Sequence, residues 1–431
     1  MSVYDPLPSV AVSENRILKA GVQDSITISV SARDAEYLRS LADDNKLAVN
    51  IVDSPGAQGD RMAVIKSTDF AGVVGLPDSD SIYIQPKIPQ TALLRLLQLD
   101  ETEGQVDTLE QSAEIEAGTE FVDLLAELYS DELASVMRQG VARSYERVDR
   151  QEEYVRGRLD VQRQLQRSGP AATEFHCSHD ELTRDTLLNR TVLHAARVLV
   201  RVVEDVQIQR RLRRQVQQLR RDITLEPIEY RQARNVELTR LTNHYEDLLR
   251  LAELVIKNTL IEDLNRGEAV SYTFLLDMPD RYQAALIAPL RDAREDFSLS
   301  TEPSLEEFLA GDFTLKPAPD YVLYQDNEPV LVLDAKWKDF SRKPDAEDLY
   351  QLIAYQQYLD VPGVLLYPDT GSESHLDSLM QVTIKNGHRL VIGRLPVTES
   401  METVTEYRSE IIGSLDTLIE TALDGNSAST G

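Results

Sequence analysis

The stretch PDYVLYQDNEPVLVLDAKWK, residues 319–338, sets carboxylates and a lysine at the ends of two short apolar runs. The runs YVLYQ (321–325) and PVLVLDAKW (329–337) have the length and composition of strands. Asp320 opens the first, and Asp334 and Lys336 close the second. Residues two apart on a strand share a face, so Asp334 and Lys336 lie side by side and the paired strand presents Asp320. Carboxylates converging at strand ends make an oxygen-ligand site suited to Mg2+ or Mn2+. A lysine beside them polarises water or stabilises developing negative charge, which completes the parts for metal-assisted phosphodiester hydrolysis. A bare Asp-x-Lys is a weak signal, and an exposed charged hairpin end is its plain alternative. The helix expected next, Ala346–Leu359, strengthens the chemical reading, because Gln351 and Tyr355 stand four apart on one of its faces.

Outward from this stretch, GVLLYP (363–368), LMQVTIK (379–385) and LVIGRLPV (390–397) predict further strands, and a helix is expected over Thr403–Leu423. Upstream, SYTFLLDM (271–278) is a short apolar run followed by a helical segment to about Ser298. Alternation at this spacing indicates an α/β or α+β domain with a mixed central sheet. The first ninety residues read as short strands, SITISV (25–30), LAVNIV (47–52), 62–65 and SIYIQ (81–85), with one helix over 34–44. Helical spacing dominates the middle: FVDLLAELYSDELASVMRQ (121–139), a block over about 185–221 and another over about 235–265. The expected organisation is thus α+β and multidomain. A β-rich N-terminal module (1–95) is a candidate for partner contact, a helical Arg-rich region covers 96–232, the domain with the mixed sheet covers 233–423, and 424–431 forms a flexible tail.

The 431 residues hold 45 Lys+Arg against 73 Asp+Glu, a net charge of −28. Only ten of the cations are Lys. Strong acidity with scarce Lys resembles proteins of extreme halophiles, in which surface carboxylates keep the chain solvated in concentrated salt. An ordinary acidic protein is the alternative. With 42% hydrophobic residues the chain is globular, no stretch has the length of a membrane span, and the N-terminus lacks a signal peptide's apolar run, so a soluble cytoplasmic protein is expected. A single cysteine, Cys177, excludes an internal disulfide and a four-thiolate zinc site. Residues 138–240 hold 21 Arg, no Lys and 15 acidic side chains, a local net of +6. Arg suits bidentate phosphate pairing, although solvated helices with internal ion pairs explain RRLRRQVQQLRRD (210–222) equally well. Four of the ten lysines, Lys316, Lys336, Lys338 and Lys343, fall around the Asp-x-Lys stretch. No Gly-x-x-x-x-Gly-Lys-Ser/Thr loop occurs, so no nucleotide is expected to bind this chain through one.

The spacing Pro-Asp-x(13)-Asp-x-Lys, with the following Gln-x-x-x-Tyr, resembles the PD-(D/E)XK nuclease superfamily. YIQPKIP (83–89), YVRGRLDVQRQLQR (154–167), FHCSHDELTRDTLLNRTVLHAA (175–196), TNHYEDLLRLAELVI (242–256), FLLDMPDRYQ (274–283) and DLYQLIAY (348–355) look like the McrC family, the nuclease subunit of McrBC modification-dependent restriction systems. The likeness runs from about residue 70 to 400. It implies a C-terminal nuclease domain, a hexameric McrB-like AAA+ GTPase partner, and cleavage of double-stranded DNA carrying 5-methylcytosine, for defence against foreign DNA. By it, Asp320 and Asp334 are the metal ligands and Lys336 is the catalytic lysine, with Gln351 and Tyr355 supporting the site or the DNA backbone. One position departs: where the family commonly has an acidic residue at the end of FLLDMPDRYQ, this chain has Gln283. A site short of one carboxylate leaves a second reading open, a non-catalytic activator of a GTPase ring.

The remaining candidates are weaker. Arg156 and Arg158 flank Gly157 and suit either a phosphate or a solvated turn. Lys338 returns to the Lys336 face and is a candidate DNA contact, whereas Trp337 points the other way and suits the core. Glu347 and Asp348 are explained by the helix dipole. His176, Cys177 and His179 lack a second ligand pair for zinc, which favours packing or capping.

Overall fold

The computed structural model describes residues 16–20, 24–53, 61–66, 68–100, 121–167, 173–263, 270–301, 303, 305–307, 316–338, 344–369, 379–385, 387–397 and 403–424. They form two compact units, 1–121 with 262–431, and 122–261.

In the first unit, β1 (Ile17–Lys19) runs parallel to β6 (Ile82–Gln85), and β2 (Ser25–Val30), β4 (Arg61–Lys66) and β3 (Ala48–Asp53) form an antiparallel sheet in the order β2-β4-β3. Alternation in SITISV buries Ile26, Ile28 and Val30. Helix α1 (Ala32–Asp43) starts at a capping box in which Ser31 and Asp34 exchange hydrogen bonds. Strand β5 (Phe70–Val74) pairs antiparallel with both β6 and β11 (Val270–Asp277), and β10 (Thr259–Asp263), whose first three residues are the last of the second unit, completes the order β1-β6-β5-β11-β10. At the β5–β11 crossing Gly72 has φ +143, and a Cβ there would lie 2.1 Å from the Phe274 carbonyl oxygen. Only glycine fits. Helix α2 (Gln90–Asp100) packs on α9 (Met278–Ala293).

A mixed six-stranded sheet follows, in the order β12-β13-β14-β15-β17-β16: β12 (Ser298–Ser300), β13 (Tyr321–Gln325), β14 (Glu328–Ala335), β15 (Gly363–Asp369), β16 (Leu379–Thr383) and β17 (Arg389–Pro396). The β13–β14 hairpin turns through Asp326 and Asn327, both at positive φ. Helix α10 (Ala346–Leu359) crosses from β14 to its parallel neighbour β15 and buries Leu352 and Tyr355 against Val332, Leu365 and Ile392. Helix α11 (Val404–Leu423) packs on β17, where a Cβ at Gly393 would collide with Leu418.

The second unit contains α3 (whose span Phe121–Gln139 starts at the last residue of the first unit), β7 (Ser144–Glu152), β8 (Arg158–Leu159), α4 (Val161–Arg167), β9 (Phe175–Thr183), α5 (Leu187–Val202), α6 (Val206–Leu219), α7 (Tyr230–Arg234) and α8 (Glu246–Lys257). Buried polar side chains fasten it. Asp123 accepts the Glu204 and Asp205 amides, Asn189 binds the Ala142 and Arg184 carbonyls, and Tyr245 donates to Asn189.

Several expectations change. The middle is not purely helical, because β7, β9 and β8 form a three-stranded sheet. Strand β7 is exposed along most of its length, so its sequence carries no apolar alternation. The block at 185–221 is two helices, broken where Asp205 caps α6 through the Gln207 and Ile208 amides. The block at 235–265 is helical over 246–257 and becomes a strand at Thr259. Boundaries at 95/96 and 232/233 do not coincide with the compact units, since β5–β11 pairing and α2–α9 packing join the N-terminal residues to the C-terminal ones. Lys343 and all but Asp424 of the 424–431 tail lie outside the described residues.

Candidate active site

Strands β13 and β14 bring the charged ends together. Asp320 immediately precedes β13, and its Oδ2 accepts the Ala335 amide at 2.7 Å, across the hairpin. Asp334, 1% exposed, is the last residue but one of β14. The Lys336 amide donates to the Leu366 carbonyl of β15 at 2.8 Å, so the chain is still anchored where the lysine emerges. Lys336 Nζ lies 2.7 Å from Asp334 Oδ2 and donates to Gln351 Oε1 at 2.8 Å. Gln351 donates in turn to the Tyr355 hydroxyl at 3.0 Å, which donates to the Ala318 carbonyl at 3.2 Å. Five of the expected residues, Asp320, Asp334, Lys336, Gln351 and Tyr355, therefore form one network on the α10 side of the sheet.

Electrostatics in this network follow from burial. Desolvation first, then the charge of Asp334, push the Asp320 carboxyl up to about 7. Burial also raises Asp334, opposed by the Lys336 ammonium. Burial would lower Lys336, but its carboxylate neighbours outweigh that and raise it. Among the described residues, no backbone amide or neutral side chain donates to Asp334 Oδ2. Two buried, mutually repelling carboxylates with an undersatisfied oxygen could hold a hard divalent cation, and they fit Mg2+, which takes one or two carboxylates and fills its other positions with water and phosphate. No group of three His, Cys, Asp or Glu side chains suited to a metal ion occurs among the described residues.

Gln283 of α9 stands at the same site. Its amide donates to the Ala335 carbonyl at 3.4 Å and hydrogen-bonds Asp320, while Tyr321 donates to its backbone carbonyl at 2.5 Å. Asp277 caps α9 through the Asp280 amide, and Asp280 pairs with Arg281, so both are engaged at the start of the helix rather than at the Asp320 pair.

Asp348 does more than complement the helix dipole. It is 3% exposed and accepts from Lys338 Nζ at 2.8 Å and from the Tyr367 hydroxyl at 2.8 Å. Its spacing to Gln351 and Tyr355, three and seven residues, marks the same helix face, a signal readable in sequence. Lys338 is thus half of an ion pair within the site. Trp337 is buried, as expected.

Arg156 and Arg158 belong to the second unit. The Arg156 amide donates to Cys177 Sγ at 3.4 Å, and Arg158, in β8, pairs with Ser178 of β9. Both side chains are exposed. Gly157 between them has φ +68, and a Cβ there would lie 2.6 Å from the Ser178 carbonyl oxygen, so the tight turn rather than ligand approach explains this glycine. His176, Cys177 and His179 lie on β9, a strand rather than a cap, and their side chains are buried. In the Arg-rich segment, Arg211 pairs with Glu127 and Asp131 of α3, while Arg210, Arg213, Arg214, Arg220 and Arg221 are exposed.

Residues 65–368 match the family model described as "McrBC 5-methylcytosine restriction system component". None of the curated proteins matches the chain. Among solved structures, a chain of the "refined half-complex from tetradecameric assembly of Thermococcus gammatolerans McrB AAA+ hexamers with bound McrC" is similar at 20% identity and TM-score 0.65, over 93% of this chain and 99% of that one. A chain of the Thermococcus gammatolerans McrBC complex matches at 19% identity and TM-score 0.44, over 64% of this chain and 87% of that one. No helix among the described residues is long and apolar enough to cross a membrane.

Proposed function

Because the chain belongs to the family of McrBC 5-methylcytosine restriction system components, we propose that it is the nuclease subunit of such a system, hydrolysing DNA phosphodiester bonds with Mg2+ or Mn2+. The observation that carries this reading is the convergence of Asp320, Asp334 and Lys336 at one strand end, with Gln351 holding the lysine. Asp320 and Asp334 would hold the cation, which when bound supplies a Lewis acid at the phosphate and activates water. Lys336 faces the space where negative charge develops on the phosphate oxygens as water attacks phosphorus and the P–O bond breaks. Gln351 and Tyr355 fix the lysine's direction, and the Asp348–Lys338–Tyr367 cluster braces the following turn. Arg156 and Arg158, exposed in the second unit, are proposed to contact the DNA backbone.

The partner in this proposal is an McrB-like AAA+ GTPase hexamer, stimulated by this chain and responsible for recognising modified cytosine. The likeness in fold to a solved McrB–McrC assembly supports it, as does the lack of a phosphate loop in the sequence. A cytoplasmic location and a saline cell interior fit the acidic, lysine-poor composition. One observation favours the second reading, a non-catalytic activator: Gln283 stands beside Asp320 where a further carboxylate is common in the family. A plasmid-nicking assay with the purified GTPase partner separates the two. Wild type should cut, and Asp334→Ala and Lys336→Ala should not; identical traces for all three proteins would reject the site.

A further inference from the structure

The block YIQPKIP (83–89) lies in the sequence far from the Asp-x-Lys strand, yet its lysine reaches the residue that follows Lys336. Lys87 Nζ donates to the Trp337 carbonyl oxygen at 2.8 Å, across 250 residues of sequence. The same ammonium sits 5.0 Å from the centre of the Trp337 indole. The indole is 3% exposed and packs against Tyr282 of α9, ring centres 5.4 Å apart. Strand β14 ends at Ala335, so the Trp337 carbonyl has left the sheet ladder and needs another donor.

We propose that Lys87 is a positioning residue for the catalytic lysine. The three residues after β14 are gripped one by one. Lys336 is held through its amide by Leu366, Trp337 through its carbonyl and ring by Lys87, and Lys338 through its ammonium by Asp348. Fixing the carbonyl and indole of Trp337 on one side leaves Lys336 directed to the other, onto Asp334 and Gln351. Lys87 is itself held stiffly: Pro86 precedes it, Ile88 beside it is buried, and Pro89 limits the backbone beyond. The N-terminal segment, expected from sequence only to contact a partner, in this way supplies part of the framework of the chemical site. An ångström of misplacement at such a site costs on the order of a hundredfold in rate, without loss of substrate binding.

This inference rests on the nuclease reading above, and the experiment keeps the two apart. Cleavage of a methylated plasmid by the full chain with its GTPase partner and Mg2+ is measured for wild type, Lys87→Met, Lys87→Arg and Ile88→Ala, with DNA affinity, GTP turnover and melting temperature of each. Lys87→Met should cut about 10- to 100-fold more slowly, with DNA affinity and GTPase stimulation unchanged. Lys87→Arg should recover most of the rate, since a guanidinium can donate to the carbonyl and stack on the indole. Ile88→Ala, which loosens the same segment without removing the ammonium, should melt earlier and cut normally below its melting temperature. Equal cleavage by Lys87→Met and wild type, or an equal loss in Ile88→Ala, would overturn the positioning role. A wild type that does not cut would instead reject the nuclease reading.

Discussion

The Asp334–Lys336 pair allows a quantitative test of how the site is held together before any substrate arrives. At 2.7 Å and an effective dielectric of about 20, the two charges attract by about 6 kcal/mol, most of which is cancelled by the cost of taking them out of water. The pair as a whole therefore adds little stability, whereas removing one member leaves the other stranded. Lys336→Met leaves the carboxylate of Asp334, 1% exposed, without its cation beside the already repelling Asp320. Losses for breaking a buried pair run about 3–5 kcal/mol; the 18% exposure of the Lys336 side chain puts this one near about 3 kcal/mol. Asp334→Asn leaves an ammonium that keeps Gln351 and some water, at about 1–2 kcal/mol. The double variant Asp334→Asn/Lys336→Met removes both charges and should lose only about 1 kcal/mol, which implies a coupling of about 3 kcal/mol. The assay is denaturant unfolding in EDTA followed by tryptophan fluorescence, because the single tryptophan, Trp337, is buried next to the pair and reports on the first unit. The coupling should persist in molar salt, which screens exposed pairs such as Arg408–Asp292 far more. Additive losses, or a coupling below about 0.5 kcal/mol, would refute the reasoning.

Three other outcomes follow from different parts of the molecule. Gln283→Glu sets a third acidic group beside Asp320, so differential scanning fluorimetry should show a lower melting temperature than wild type in EDTA and a larger upward shift on adding Mg2+. In the second unit, hydrogen bonds from Arg190 and Thr224 hold Asp185 below the ordinary aspartate range. A depressed carboxylate stabilises above the unfolded pKa of about 4 and loses that contribution as pH falls through the folded value, so Asp185→Asn should cost about 1 kcal/mol in urea melts at pH 7 and progressively less below pH of about 4. Gly72→Ala puts a methyl group into the Phe274 carbonyl and should destabilise the first unit by more than about 3 kcal/mol, measured as a lower urea midpoint for Trp337 fluorescence.

Much of the C-terminal sheet was legible because its strands are buried on both faces and read as apolar runs: the spans for β13 and α10 match the expected ones, and β15 and β17 differ by a residue or so. The convergence of Asp320, Asp334 and Lys336 was legible for the same reason, since strand parity alone fixes which side chains share a face. Two things stayed hidden. Pairing of β5 with β11 joins residues about two hundred apart, and no local pattern announces such a contact. Exposed strands such as β7 lack alternation, so the sheet of the second unit left no trace in the hydrophobic pattern. Within the site, the helix dipole is a sufficient local reason for Asp348 and masks its bonds to Lys338 and Tyr367, while Lys87 lies 250 residues from its partner Trp337.

The most direct test follows cleavage of methylated plasmid DNA and GTP turnover in the same reaction, with the GTPase partner and Mg2+, for wild type and Asp334→Asn. The account predicts that wild type linearises or nicks the plasmid while Asp334→Asn cuts at least about a hundredfold more slowly, with GTP turnover stimulated equally by both. Equal cleavage by the two proteins would contradict it, as would wild type that stimulates GTP turnover and leaves the DNA intact.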